Sequence, residues 1–308
     1  MPPNASAVPG AGSFWLGRTE SVADGLARIA RGRADSALEK LGGADDESLA
    51  EAIHGARKDL KKLRAVLRLS REALGDELYR EENRRFRDAA RLLSASRDAE
   101  VRLSTLEGLR RRPGSDPPRA AAAVWEEALE RERDELAGGR PDVPLAEAVA
   151  TIAAGRERID AWPLEGSGWP LLGGGLERAY RDGRRAWRAT RDDPGPGSSH
   201  EWRKRAKDLW YQLRIVAPAW PPVLEATAAE AHELTDRLGD RNDLALLAED
   251  LGRRAWISEH DRTDLLEAVE RAQDELLAEA LEIGARLYAE KPRAYRRRLR
   301  VYWRAWRD

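Results

Sequence analysis

The chain has 308 residues, no cysteine, 42% hydrophobic and 35% charged residues, and a formal charge of -1 from 54 basic and 55 acidic side chains. Without cysteine there are no disulfides, thiolate metal sites or cysteine nucleophiles, and charges interrupt every apolar run before the roughly 18 to 20 residues of a membrane-spanning helix. The length suits one large or two moderate domains with a real core.

The opening MPPNASAVPGAG lacks the basic start and apolar middle of a secretory signal. It reads as a disordered tail over residues 1–17 of a chain expected in the cytoplasm. Leu, Ala, Arg and Glu dominate and β-branched runs are missing, so the expected class is all-α. A first helix starts at Ser21, with Asp24 three residues on in capping-box fashion, and ends at Leu41 before Gly42 and Gly43. A second runs from about Ser48, paired with Glu51, to Leu74 before Gly75, and a third from about Glu77 to Leu109. RRPGSDPPR (111–119) breaks the pattern. Helices from Ala120 to Leu136 and from Leu145 to Ile159 follow, the latter behind Pro144. WPLEGSGWPLLGGG (162–175) reads as a joint between a first half, 18–161, and a second, 176–308. Helix then resumes from Leu176 to about Ala189 and, after the loop 191–199, from His200 to Val216. A corner, APAWPP, leads into helices that continue to the end.

The second half repeats the first. His54-x-x-Arg57-Lys58-x-x-Lys61-x-Leu63-x-x-x-Leu67-Arg68 recurs as His200-x-x-Arg203-Lys204-x-x-Lys207-x-Leu209-x-x-x-Leu213-Arg214, at a constant offset of 146. Downstream, LLSASRDAEV (92–101) pairs with RLGDRNDLAL (237–246) at an offset of 145, placing Asp98 against Asp243. Duplication is the simplest explanation.

At about 100° per residue, with His54 at zero, Arg57, Lys58, Lys61, Arg64 and Arg68 fall within an arc of about 120°, and Leu60, Leu63, Val66 and Leu67 lie opposite. His200, Arg203, Lys204, Lys207 and Arg214 occupy the same arc in the second copy, with Tyr211 and Trp210 among them. A solvated helix face normally interleaves signs. Residues 54–71 instead hold seven Lys or Arg and one acid, Asp59, so another helix or an anionic ligand must compensate the repulsion. Of only seven lysines, five fall in residues 54–62 and 200–208. A compact ammonium suits a phosphate chain of no fixed orientation, whereas Arg suits planar bidentate contacts. Cations also cluster at Arg84, Arg87 and Arg91, along 178–188 and in the tail from Arg286. Residues 225–282 carry 17 acids against six Arg. Neutrality is therefore only an average, and a polyanion partner remains open despite the net charge.

The boxes HGARKDLKKLRAVLRL and HEWRKRAKDLWYQLRI, their followers SASRDAEV and LGDRNDLALL, the opener LERAYRDGRRAW and the tail RLYAEKPRAYRRRLRVYWRAW resemble the CHAD family, the conserved histidine α-helical domain, over about residues 18–308. The resemblance implies two similar bundles of about four helices each, facing one another across a basic pore that binds inorganic polyphosphate, association with polyphosphate granules, and no cofactor. The pore residues it implies are His54, Arg57, Lys58 and Lys61, with His200, Arg203, Lys204 and Lys207; Arg181, Arg184 and Lys291 are additions. Polyphosphate-metabolising proteins are the implied partners, and no membrane. Some relatives carry a triphosphate-tunnel domain with ExExK, which this sequence lacks, so the module is expected to stand alone. Asp208 replaces the Lys62 of the first copy and Asn242 its Arg97, and position 62 is expected at the pore rim.

Two rivals are weaker. A metal-dependent phosphohydrolase needs convergent His and carboxylates, yet His54 and His200 sit beside cations. His260-Asp261 and His232-Glu233 lack companions and read as surface or capping groups. Asp98 and Asp243 read as anchors for Arg or Lys at helix ends. A nucleic-acid-binding module could use Tyr295, Tyr302, Trp303 and Trp306 as stacking groups. The spacing of Leu299, Tyr302, Trp303 and Trp306 instead predicts the apolar face of a docked last helix, so nucleic acid is not the expected partner.

Overall fold

The computed structural model describes residues 9–45, 48–93, 98–115, 117–137, 143–166, 168–254 and 257–308, with residues 98, 99, 136 and 137 by backbone alone. Every regular element among them is helical: α1 (Val22–Gly42), α2 (Leu49–Leu69), α3 (Arg71–Leu74), α4 (Asp76–Leu92), α5 (Asp98–Arg111), α6 (Arg119–Ala137), α7 (Leu145–Arg158), α8 (Pro170–Asp192), α9 (Pro196–Val216), α10 (Pro221–Gly252), α11 (Glu259–Leu287) and α12 (Pro292–Arg307). Short 3₁₀ turns follow α7 and α9. Ser21 caps α1 by accepting the Asp24 N–H at 3.0 Å, as its spacing predicts. Ser48 does not cap α2; it exchanges hydrogen bonds with Asp45 instead.

Helix α1 packs on α2, α2 on α4, α4 on α7 and α7 on α1, which closes a ring of four. Helices α8, α9, α10 and α11 make the same cycle in the same chain order. The two rings meet where α2 lies against α9 and α8. One apolar core runs through both, from Leu26 and Leu60 to Leu209 and Leu234. Helix α12 covers α8 with Tyr295, Leu299, Trp303 and Trp306, all buried, so three of the four aromatics weighed for stacking are core groups. Tyr180 and Tyr295 stack at 4.0 Å beneath it.

Helices α10 and α11, of 32 and 29 residues, run past their ring. Their far ends meet the α5–α6 hairpin in a second core, where Leu106, Trp125 and Leu129 pack with Leu247, Leu251 and Leu265. The corresponding part of the first half is divided: α4 stops at Leu92, α5 begins at Asp98, and the block SASR (94–97) lies outside the described residues. The single third helix expected over 77–109 is thus two.

Two helices begin earlier than glycine content suggests. Helix α8 starts at Pro170 and takes in Gly173–Gly175, at the end of the segment read as a joint. A Cβ on Gly175 would collide with the carbonyl of Leu69, so glycine permits the close approach of α8 to α2 and packing overrides propensity. Helix α9 starts at Pro196, within the expected loop 191–199, after the Gly195 N–H donates to Ser198 Oγ at 3.0 Å.

Residues 9–17, assigned above to a disordered tail, are packed. Phe14 and Leu16 are buried, and the Leu16 N–H donates to the Ile215 carbonyl at 2.9 Å, strapping this segment over the end of α9. Burial of two large apolar groups and a satisfied backbone pair outweighs the Gly- and Pro-rich composition. Residues 1–8 of the expected tail lie outside the described residues.

Candidate functional site

Helices α2 and α9 each present one apolar and one cationic face. Ala56, Leu60, Leu63 and Leu67 of α2 and Trp202, Ala206, Leu209 and Leu213 of α9 are buried, which turns the opposite sides outward. Because α2 and α9 pack on one another, the two outward faces share one space. Lys61 is held below the ordinary lysine range, first by burial and then by Arg57, Arg203, Lys58 and Arg64. Lys207 is lowered to about 8, by burial first and then by Arg203 and Lys61, with Asp236 and Asp243 opposing the shift. Thus Lys61 and Lys207, equivalent positions of the two boxes, act on each other. Water reaches the Lys61 side chain although protein surrounds it on most sides, which marks a concave surface.

The other members of the boxes divide. Arg203 lies over Gly239, where a Cβ would come within 2.6 Å of its guanidinium, and donates to the Thr235 carbonyl at 3.2 Å. Lys58 and Lys204 are exposed, the latter 3.5 Å from Glu201. His54 and His200 are exposed. The His200 imidazole is lowered by burial, Lys204 and Arg203, against a hydrogen bond with Asn242, and the net lowering favours its neutral form. Arg64 donates to Asn83 Oδ1 at 3.0 Å and is lowered to about 10 by burial, Arg68 and Arg87, against Asp208.

Several predicted residues are committed elsewhere. Arg68 pairs with Asp208 at 2.7 Å, across the meeting of α2 and α9. Desolvation raises the Asp208 carboxyl, and Arg68, Arg205 and Arg64 oppose it. The equivalent positions 214 and 62 are also neighbours, but both are cationic: Arg214 contributes to lowering Lys62. Arg214 sits over the Phe14 and Trp210 rings at 5.5 and 5.7 Å. Tyr211 is buried, edge-on to Phe14 at 6.1 Å, with its phenol raised by burial. Lys62, expected at the rim, lies 3.8 Å from Asp59 and over Phe14. Arg181 pairs with Asp182 at 3.3 Å, and Arg184 donates to the Tyr288 carbonyl at 2.9 Å, in the turn that leads to the exposed Lys291.

Sequence reasoning missed the acidic wall. Asp236, Asp240 and Asp243 of α10 stand close enough for the Asp240 carboxyl to be raised by burial and by the other two, with Arg203 and Arg237 opposing. Asp243 lies inside α10, not at a helix end, and accepts from Asn242 at 3.4 Å. The side chain of Asp98 is outside the described residues. His232 Nδ1 lies 2.6 Å from Asp236, with its ring edge on Trp210 at 4.0 Å. Among the described residues no group of three or more His, Asp or Glu has metal-ligand geometry, and no helix is long and apolar enough to cross a membrane.

Residues 29–252 match the model of the CHAD domain family. The chain belongs to the CHAD family. Two solved structures share its fold. PptA from Streptomyces chartreusis superimposes with a TM-score of 0.55 at 15% identity, over 88% of this chain and 100% of that one. The CHAD domain from the plant Ricinus communis does so with a TM-score of 0.51 at 18% identity, over 95% and 96%. No curated protein matches the sequence. In this CHAD domain the matched region contains both boxes, and Arg57, Lys61, Arg203 and Lys207 are the members linked through their effect on Lys61 and Lys207.

Proposed function

We propose that this CHAD domain binds inorganic polyphosphate in the groove between α2 and α9, without catalysis, and that binding brings the protein to polyphosphate granules. One observation carries the reading. Each charged group that acts strongly on Lys61 is itself a cation, so the site assembles positive charge at a cost that a bound polyanion would reverse. A flexible chain with about one charge per phosphate needs a positive channel more than a hydrogen-bond code, and lysines supply unoriented donors. The resemblance of the doubled box to polyphosphate-binding relatives supports the same reading.

Long-chain polyphosphate should be titrated into the protein in competition with single-stranded RNA and double-stranded DNA. Polyphosphate is expected to bind most tightly. Its affinity should fall about fifty-fold between about 50 and 200 mM salt, if four cations act as they do on a single-stranded nucleic acid. Equal or tighter binding of RNA would overturn the reading. Phosphate release above background with Mg²⁺ or Mn²⁺ would overturn the absence of catalysis.

A further inference from the structure

Next to the cationic concavity lies a cavity of about 630 Å³, between the strap before α1, the end of α9 and the start of α10. Its volume falls in the range that holds a small organic molecule. Trp15 comes from the strap and Trp210 from α9; the Arg214 guanidinium lies over Trp210, and Glu225 and Glu233 stand on the α10 side. Glu233 is engaged by Arg237 at 2.5 Å, whereas Glu225 has no ion-pair partner among the described residues. Two carboxylates disfavour a bare phosphate here, and Arg214 disfavours an organic cation. The Trp210 ring already stacks on Tyr211 at 4.5 Å and meets the His232 ring at 4.0 Å, whereas Trp15 has no ring contact among the described residues. An indole face beside a carboxylate acceptor suits a planar heterocycle that carries N–H donors.

The position of the cavity narrows the class further. Lys207 is one helical turn, about 4.5 Å of rise, from Trp210, and Arg203 one turn beyond it. Across the groove Asp236 follows His232 by one turn and is tied to it at 2.6 Å. The aromatic end therefore leads along α9 into the cationic groove. The first half has no such end: Arg64 stands at the position equivalent to Trp210, and Arg87 at that of His232.

We infer that the cavity is a base-binding subsite and that the groove takes nucleoside 5′-polyphosphates, with the base on the Trp15 indole, bordered by Trp210, and the phosphates toward Lys207 and Arg203. The inference rests on Lys207 and Arg203 being phosphate ligands, as proposed above. Among bases guanine fits best, because its adjacent N1–H and N2–H₂ donors match one carboxylate, here Glu225.

The test is a calorimetric titration of the full chain with guanosine 5′-triphosphate, adenosine 5′-triphosphate and inorganic tripolyphosphate, beside long-chain polyphosphate. Guanosine triphosphate should bind roughly tenfold or more tighter than tripolyphosphate, the size of effect that base stacking gives. Glu225→Gln and Trp15→Ala should bring it down to the tripolyphosphate level and leave long-chain polyphosphate unchanged. Glu225→Gln preserves shape and guards against a folding defect in the Trp15 variant. Equal binding of nucleotide and tripolyphosphate would overturn the inference and leave the polyphosphate reading standing. Tight nucleotide binding without polyphosphate binding would do the reverse, and binding of none would sink both.

Discussion

Helices α2 and α9 carry the same sequence box, yet they differ around a shared centre. Arg57 and Lys61 match Arg203 and Lys207, and these four are linked through their effect on Lys61 and Lys207. On the adjoining side of each helix the match fails. Asp59 and Lys62 of α2 stand where α9 has Arg205 and Asp208, so the same i,i+3 ion pair appears with its charges exchanged, at 3.8 Å in both. Asp59 is engaged by Arg33, Ser36 and Lys40 of α1, whereas Asp208 reaches across to Arg68 of α2. The cations present in both copies are those the proposed binding uses, and the exchanged charges follow which neighbouring helix each copy packs on. The groove walls differ as well: Arg64, Arg87 and Arg91 on one side correspond to Trp210, His232 and Asp236 on the other.

The largest effect expected from breaking this comparison is at Asp59. Asp59→Asn leaves Arg33 and Lys40 facing a neutral group in a buried setting and should destabilise the fold by about 3 kcal/mol, read by denaturant unfolding. Next is Lys61→Gln with Lys207→Gln, which should weaken polyphosphate binding about 100-fold, or about 2.7 kcal/mol, at unchanged stability. Asp208→Asn should cost about 2 kcal/mol in unfolding, less than Asp59→Asn because its pair with Arg68 is partly reached by water. If Asp208→Asn proved the costlier, the ranking of the two copies would be reversed.

A fourth expectation concerns pH. Lys207 in the free protein titrates at about 8, below its unfolded value. Between pH 8 and the unfolded lysine range the unfolded chain holds more protons, so this group makes the free fold more stable as pH rises through that window. Anion binding favours the charged form, so affinity is full below pH 8 and should fall about tenfold between pH 7 and 9, with proton uptake on binding. Lys207→Gln should flatten that profile. The smallest effect is expected for Lys58→Gln with Lys204→Gln, within about threefold by titration, because both side chains are exposed and screened.

The apolar and cationic faces of α2 and α9 were legible because helical spacing alone fixes them, whereas the meeting of Lys61 and Lys207 was implied only by the family resemblance. Local periodicity could not reveal that Arg68 would be absorbed by Asp208, since that pair joins residues 140 positions apart. Tyr211 and Arg214 lie on the predicted arc, yet the strap of residues 9–17 covers that end of α9, and a Gly- and Pro-rich segment gave no sign of packing there. Gly173–Gly175 read as a breaker until the approach of Leu69 gave them a reason. The acidic wall of α10 was visible as charge but not as a neighbour of Lys207.

The α5–α6 hairpin belongs to the first half by sequence and to the second by contact, because its apolar side is covered by the far ends of α10 and α11. During synthesis that side has no cover until α11 leaves the ribosome. A fragment ending near residue 161 would carry an open hydrophobic stripe, so the repeat halves, although alike, are not interchangeable folding units. Each needs the other in hand, and the chain is expected to unfold in one step.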